Sequence, residues 1–206
     1  LNYDYLKRYM LTATFREDGS SRFAKGNQWG FFPGLSVGWV MSDEPFMQNI
    51  GFISNLKWRG SYGQTGNNSI GYYDALGLYA ITTSYDQSAA TVSSAMPNKA
   101  LEWETSTQLD LGFDLGLFNN RFSLEFDYYR RDTKEMLVNV DVPASVGLAS
   151  VETNVGSVRN SGLDFTVKWE DSFKDFRYGI RLTGTTIKNE VTNLGGKRIT
   201  SGDIGS

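Results

Sequence analysis

Cysteine and histidine are absent from this 206-residue sequence, and proline is scarce at four residues. Without cysteine there is no disulfide scaffold and no cysteine-based metal or redox site. Without histidine the commonest general base and the commonest metal ligand are missing, so neither a Ser-His-Asp nor a Cys-His arrangement can form within this chain. We therefore expect no catalytic residue, no cofactor and no metal site, and an enzyme is an improbable class.

Long apolar runs are missing as well. No stretch approaches the ~20 residues that a transmembrane helix needs, so any membrane contact must come through strands. A net charge of -3 without a basic run argues against a nucleic-acid partner. The first four residues have neither the basic nor the apolar region of a signal peptide, so we expect a mature chain or a piece of a longer one.

Alternation of apolar and polar residues is the main positive signal. It is clearest from Thr107 to Phe118, resumes after Asn119-Asn120, and returns on both sides of residues 171–175. Alternating runs that flank a short polar turn predict β-hairpins. The pattern predicts a short strand around Leu76–Ile81 and seven long strands: Tyr3–Arg16, Trp29–Met41, Leu56–Gln64, Leu101–Leu117, Arg121–Leu137, Ser161–Phe173 and Phe176–Val191.

The connections alternate between short turns and long polar loops, at Gly66–Ala100 and Val138–Asn160, which is typical of outer-membrane barrels. The strands are also long enough to span a bilayer. Aromatic residues are interpreted as girdles at the strand ends: Tyr3, Tyr5, Tyr9, Trp29, Phe31, Phe32, Trp39, Trp58, Tyr62, Trp103, Tyr128, Tyr129, Trp169 and Tyr178. Seven strands do not close a transporter-sized barrel, and an open edge in lipid is costly. The prediction is an all-β, antiparallel part of a large transmembrane barrel; the alternative is a soluble β-sandwich carbohydrate-binding module.

Ordered sequence blocks resemble a known family. Phe15–Phe23 (FREDGSSRF) resembles the R-x-D-G-S-S-R-F signature of SusC/RagA TonB-linked outer-membrane proteins. Leu56–Asn67 (LKWRGSYGQTGN), Leu101–Gln108 (LEWETSTQ) and Asn154–Gly162 (NVGSVRNSG) follow in the order of that family, after Glu44-Pro45-Phe46. The resemblance extends over nearly the whole chain.

The resemblance implies a barrel of about 22 strands with a plugged lumen. Residues 1–206 are then one partial barrel domain, without the plug domain or the TonB box. The implied activity is import of glycans or peptides across the outer membrane of Bacteroidota. The implied partners are outer-membrane lipids, a SusD-like surface lipoprotein, and TonB acting through the absent N-terminal part. A siderophore-type receptor is the alternative within the membrane class.

Two groups of residues are candidates for function. The signature loop, formed by Arg16, Asp18, Gly19, Ser20, Ser21 and Arg22, is either a ligand-contacting loop or a hairpin turn. In the turn interpretation Gly19 supplies a positive φ, Asp18 and the serines cap backbone groups, and the arginines pair with Glu17, Asp18 or lipopolysaccharide phosphates. The second group consists of tyrosines in the long 66–100 loop, which either stack on a ligand or partner or pack locally: Tyr72, Tyr73, Tyr79 and Tyr85.

Acidic residues on the polar strand faces are expected to point into the barrel lumen. These positions are Asp110, Asp114, Glu125, Asp127 and Asp164, with Lys168 and Arg181 as the cations. Glu102 and Glu104 are two apart on a predicted strand, a spacing compatible with acid–base chemistry or a calcium site. Nothing in the sequence completes either arrangement.

Overall fold

A computed structural model describes residues 1–85, 88–143, 145, 147–148 and 150–194, without the side chains of 80 and 82–94. Twelve strands are present: β1 Asn2–Tyr5, β2 Tyr9–Gly19, β3 Trp29–Val40, β4 Ile53–Asn67, β5 Leu78–Tyr85, β6 Ser88–Ala95, β7 Glu104–Leu117, β8 Phe122–Lys134, β9 Leu137–Asp141, β10 Ser150–Asn154, β11 Ser157–Phe173 and β12 Phe176–Asn193. A 3₁₀ turn lies at Met41–Asp43. The described part of the chain is therefore all-β, as predicted.

Eight strands form one antiparallel sheet in the order β1-β2-β3-β4-β7-β8-β11-β12. The β5–β6 and β9–β10 hairpins interrupt this order, because each forms a separate two-stranded sheet within a long connection. The connections β2–β3, β4–β7 and β8–β11 lie at one end of the sheet, which we call the loop end. The turns β7–β8 and β11–β12 lie at the other, the turn end, and the turn at 174–175 is only two residues long.

The seven long strands are confirmed, with one correction at the start of the chain. Tyr3–Arg16 was predicted as one strand, but Leu6 and Lys7 adopt positive φ and reverse the chain. Tyr5 then pairs with Tyr9, so β1 folds back on β2 as a hairpin. The sequence hides this turn because neither residue belongs to the Gly/Asn/Asp group that favours a left-handed backbone.

Pairing register places alternate residues of all eight strands on two faces. One face carries the apolar side chains of the alternating pattern, and the other carries the acidic and basic residues predicted to point inward. Asp110, for example, faces Ser61 and Tyr129 across the neighbouring strands, and Asp127 faces Gly112 and Asp164. The predicted division into an apolar and a polar face is confirmed.

Within the described residues no second sheet covers the apolar face. Leu35, Val37 and Leu111 are about half exposed there, and Ile180 and Leu182 are 69% and 61% exposed. A β-sandwich buries this kind of face against another sheet. The exposed apolar face therefore favours the barrel prediction over the β-sandwich alternative. Among the described residues, no helix has the length and apolar character to cross a membrane.

Candidate functional site

An aromatic row crosses the apolar face of the sheet along the hydrogen-bonding direction. Register pairs its members strand by strand: Tyr9, Trp39, Trp58, Phe113, Phe126 and Phe165. Ring centroids are 5.3 Å apart for Trp58 and Phe113, and 5.6 Å for Phe113 and Phe126. The row ends at Gly184, where the ring of Phe165 lies over the backbone in the space a Cβ would take.

The apolar band has a limit towards the loop end. On β12 the outward residues change from Ile180 and Leu182 to Lys188 and Glu190, which form an ion pair at 3.2 Å. An apolar stretch of about eight residues, at ~3.3 Å per residue and tilted by about 40°, spans roughly 20 Å of bilayer. That height is close to the apolar band of an outer-membrane barrel.

The interpretation of every strand-end aromatic as a girdle residue is partly wrong. Trp39 lies one residue from the end of β3, as predicted, but its partner Trp58 in the aromatic row lies well inside β4. Tyr129 lies on the polar face, since it pairs with Asp110 and Gly162. Phe32 and Trp103 pack against each other at the loop end, with ring centroids 5.5 Å apart. The alternation of apolar and polar residues predicts the face of the sheet on which a side chain lies, but not its depth in the membrane.

The polar face carries an ordered ion-pair network. Arg59 bridges Asp114 and Asp127, with Nη2–oxygen distances of 2.8 and 3.1 Å. Asp110 accepts hydrogen bonds from the Ser61 hydroxyl at 3.0 Å and from the Gln108 amide at 3.0 and 3.1 Å. Beside this network lies an open hollow of about 650 Å³, whose lining includes Thr14, Arg16, Phe32, Gln108, Asp110 and Arg131.

The signature loop departs from the predicted turn geometry. Gly19 is the last residue of β2 and pairs with Trp29, so it lies in the ladder and not at a positive φ. The residue with positive φ in this connection is Gly26. Gly19 instead allows the Trp29 ring to lie over the backbone, because a Cβ there would lie 2.9 Å from that ring. The expected serine cap is present, since the Ser20 hydroxyl accepts from Arg22 N at 3.4 Å.

Arg22 fastens the signature loop to the next loop along the sheet. Its Nη1 donates to the carbonyl oxygens of Asn68 at 3.2 Å and Ile70 at 2.8 Å, and its guanidinium stacks over the Tyr72 ring at 4.6 Å. Asn68 also donates to Ser20 Oγ at 3.1 Å. We call this set of contacts the arginine clasp. Arg16 takes no part in it and pairs with Asp18 at 2.9 Å.

A small apolar cluster lies beside the arginine clasp. Phe23, Ile70, Ala75 and Leu101 are buried, and Leu101 and Ala75 have no exposed surface. Trp103 packs on the cluster with its ring centroid 5.4 Å from that of Phe23. The loops at this end therefore have a core of their own, which the signature loop and the 68–77 and 98–103 segments build jointly.

The candidate tyrosines divide into different environments. Tyr73 is 57% exposed and Tyr79 is 78% exposed. Tyr72 is 73% exposed although one face of its ring rests on Arg22. Tyr85 ends β5, and its side chain lies outside the described residues. The structure thus brings Tyr72 and Arg22 together, and leaves Tyr73 and Tyr79 presented outward.

The two glutamates considered for acid–base or calcium chemistry serve as loop anchors. Glu104 opens β7 and accepts hydrogen bonds from Leu137 N at 3.1 Å and Asn67 Nδ2 at 3.3 Å. Glu102 precedes the strand, contrary to the prediction, and its backbone N–H donates to Asn154 Oδ1 at 2.9 Å. Across the described residues no group of three or more acidic side chains is arranged to hold a metal ion.

Glu44 forms a second polar cluster, at the turn end, that the sequence did not reveal. This carboxylate is only 7% exposed and accepts hydrogen bonds from the Tyr9 hydroxyl at 2.5 Å and the Trp39 indole at 3.2 Å. Arg8 lies 3.7 Å from its second oxygen. The hydrogen bond from Tyr9, and then that from Trp39, lower the pKa of Glu44 below its ordinary value of 4.5.

Replacing Glu44 with glutamine is expected to lower the thermal stability of the turn end at neutral pH. The lowered pKa means that the carboxylate stabilises the fold above pH 4.5, and that this stabilisation disappears as the pH falls through the lowered value. The melting-temperature difference from wild type, followed by circular dichroism, should therefore shrink below about pH 4.5. Asp43→Asn is the control, because Asp43 accepts a hydrogen bond from the adjacent Ser42 hydroxyl and is not part of the Glu44 cluster; a difference that stays constant down to pH 3 would contradict the assignment.

Comparison with known proteins gives a consistent result. Residues 1–202 match the family described as TonB dependent receptor-like, beta-barrel. TonB-dependent receptor SusC of Bacteroides thetaiotaomicron is 37% identical over 205 residues, which covers 95% of this chain and 20% of that protein. TonB-dependent receptor P3 of Formosa agariphila is 38% identical over 199 residues, covering 94% of this chain and 20% of the relative. The chain thus spans about a fifth of the length of the curated relatives it matches.

Solved structures give the same result for the fold. The structure of the RagAB peptide transporter aligns with a TM-score of 0.83 and 32% identity, covering 94% of this chain and 22% of that one. The siderophore receptor PirA from Pseudomonas aeruginosa aligns with a TM-score of 0.56 and 16% identity, covering 92% and 33%. The second likeness concerns the fold alone.

Proposed function

This chain belongs to the TonB-dependent receptor-like β-barrel family, and within it to the SusC/RagA group; from that premise we propose that it is a wall segment of an outer-membrane importer of glycans or peptides. The family consists of transporters and receptors rather than enzymes, and it implies an outer-membrane location. We further propose that this location is the outer membrane of a member of the Bacteroidota. The relatives come from Bacteroides thetaiotaomicron and Formosa agariphila, which belong to that group.

The observation that carries the proposal is the two-faced sheet with unpaired edges. β1 and β12 are edge strands in the described part of the chain, and an open edge in hydrocarbon leaves several backbone groups without partners. Further strands must therefore pair with both edges if the apolar face meets lipid. Closure around the polar face places the Arg59 network and the adjacent hollow inside the barrel, where water, a plug or a substrate is the neighbour.

The partners follow from the same placement. Outer-membrane lipids would cover the aromatic row, and a SusD-like lipoprotein would meet the loop end, where Tyr73 and Tyr79 are presented. TonB would act through a part of the protein that this chain does not contain. The RagAB structures are those of a peptide importer, which favours peptides beside glycans as substrates to test.

The experiment is a deletion of the gene that encodes the complete barrel, with uptake of defined oligosaccharides and oligopeptides as the readout. Loss of uptake of one substrate class, restored by the wild-type gene, would support import and identify the class. Fractionation should place the protein in the outer membrane. Recovery of the protein in the soluble fraction, or unchanged uptake of every substrate tested, would contradict the proposal.

Tyr73→Ala is expected to weaken substrate or lipoprotein binding by roughly 5–30-fold, since truncating an aromatic contact residue costs about 1–2 kcal/mol. Tyr73 is replaced rather than Tyr72, because replacing Tyr72 would also remove a contact of the arginine clasp. Uptake KM and co-purification of the lipoprotein in detergent distinguish the two partners. Tyr178→Ala, an exposed tyrosine at the turn end, should change neither quantity. Equal effects of both variants would mean general destabilisation and would contradict a contact at Tyr73.

A further inference from the structure

A group of charged side chains lies on the outward face of the sheet, where the apolar band ends towards the loop end. Its members come from three neighbouring strands, β8, β11 and β12, and occupy successive rows of the pairing register. In the row next to the apolar band, Ser161 pairs with Arg130 on one side and with Lys188 on the other. We call the group the basic patch; it consists of Arg130, Asp132, Lys134, Arg159, Lys188 and Glu190.

The last apolar row beside the basic patch indicates its depth. Tyr128 occupies that row and pairs with Leu111 and Leu163. Tyrosine is enriched at membrane interfaces because its ring is apolar and its hydroxyl is polar. The long connections of an outer-membrane barrel lie on the extracellular side. In the proposed outer-membrane importer, on which this inference rests, the basic patch therefore lies at the headgroup level of the outer leaflet.

The acidic residues of the basic patch order its cations without neutralising them. Asp132 accepts hydrogen bonds from Arg130 Nε at 2.8 Å and from Arg159 Nε at 2.6 Å. Lys188 pairs with Glu190 at 3.2 Å. Four cations and two acids leave the patch with a net charge of +2. Both arginine contacts use Nε, and within the described residues the terminal nitrogens of these two guanidinium groups have no hydrogen-bond partner.

Two ordered guanidinium groups with unpaired terminal nitrogens suit a phosphate group, because the planar guanidinium donates two parallel hydrogen bonds to phosphate oxygens. Lys188, whose side chain is 75% exposed, adds a cation beside them. The same register row continues onto β7 and β4 as Leu109 and Tyr62, which carry no charge, so the basic patch is local and not a belt around the sheet. We propose that the basic patch binds the phosphate groups of lipopolysaccharide in the outer leaflet.

The test is binding of lipid A, the phosphorylated glycolipid anchor of lipopolysaccharide, to the complete barrel protein in detergent, measured by native mass spectrometry. The wild type should bind diphosphorylated lipid A more tightly than its dephosphorylated form, and inorganic phosphate at equal concentration should not displace the lipid. Replacing Arg130 and Lys188 together with glutamine lowers the net charge of the patch from +2 to 0 and leaves Arg159 beside both acids. The affinity for lipid A should then fall roughly 30-fold, the loss expected for two cations near an anionic lipid surface.

Lys188→Gln alone changes one exposed side chain and should weaken lipid A binding roughly 5-fold without affecting folding. Arg181→Gln is the matched control, because it removes a cation from the polar face of the same strand, between Ile180 and Leu182, and should leave lipid binding unchanged. Equal binding of the dephosphorylated lipid, displacement by inorganic phosphate, or equal losses in the two single variants would overturn the assignment. A barrel that binds lipid A as expected but imports no tested substrate would support the basic patch and contradict only the proposed import.

Discussion

Leu111→Arg is expected to destabilise the membrane-embedded barrel by about 2–4 kcal/mol, the cost of a cation facing lipid near the bilayer midplane. Leu111 lies near the middle of β7, on the apolar face, and is 50% exposed in the described structure. The arginine side chain there cannot reach an acidic partner on its own face at this depth. Urea unfolding of the complete barrel in lipid vesicles measures the loss directly.

The matched control lies three residues away on the same strand. Gln108 points to the polar face, and its amide already lies within 3.1 Å of the Asp110 carboxylate, so an arginine at this position keeps a partner of opposite charge. Gln108→Arg should change the free energy of unfolding by less than about 1 kcal/mol. Similar losses at both positions would contradict the assignment of the Leu111 face to lipid.

Arg22→Lys is expected to lower the free energy of opening of the 68–77 segment by about 2–4 kcal/mol. Lysine keeps the charge but is not planar, so it cannot stack on Tyr72 while donating to the carbonyl oxygens of Asn68 and Ile70. Hydrogen bonds from a charged donor contribute about 1.5–3 kcal/mol and a cation–π contact about 0.5–2 kcal/mol. Amide hydrogen exchange in this segment should therefore accelerate by roughly 30- to 800-fold, at 1.4 kcal/mol per factor of ten.

Arg16→Lys tests whether the effect belongs to the clasp. Arg16 lies in the same signature loop, but its side chain is 58% exposed and its ion pair with Asp18 is a surface contact, worth about 0–1 kcal/mol. Exchange in the 68–77 segment should stay within a few-fold of wild type. If Arg22→Lys leaves exchange unchanged, or Arg16→Lys accelerates it equally, the clasp does not order this loop.

The contrast between Arg22 and Arg16 explains why the signature loop could be predicted only in part from the sequence. Its turn character, the serine cap and the pairing of Arg16 with Asp18 depend on residues that are close in the sequence, so they could be predicted. The target of Arg22 does not, because the carbonyls it binds lie 46 and 48 residues away and carry no side-chain signal. Glu44 is a similar case: its block was recognised, but its partner Tyr9 lies 35 residues upstream.

The sequence by itself determined the all-β class, the seven long strands, the two faces of each strand and the family, because alternation at i and i+2 is written in consecutive residues. Only the tertiary structure decided that β4 pairs with β7 and β8 with β11, past a hairpin in each case. It also decided where Arg22 binds and that Asn98 donates to the carbonyl oxygen of Glu152. Those contacts depend on how loops 20 to 80 residues apart close over one end of the sheet, and local periodicity contains no information about such closure.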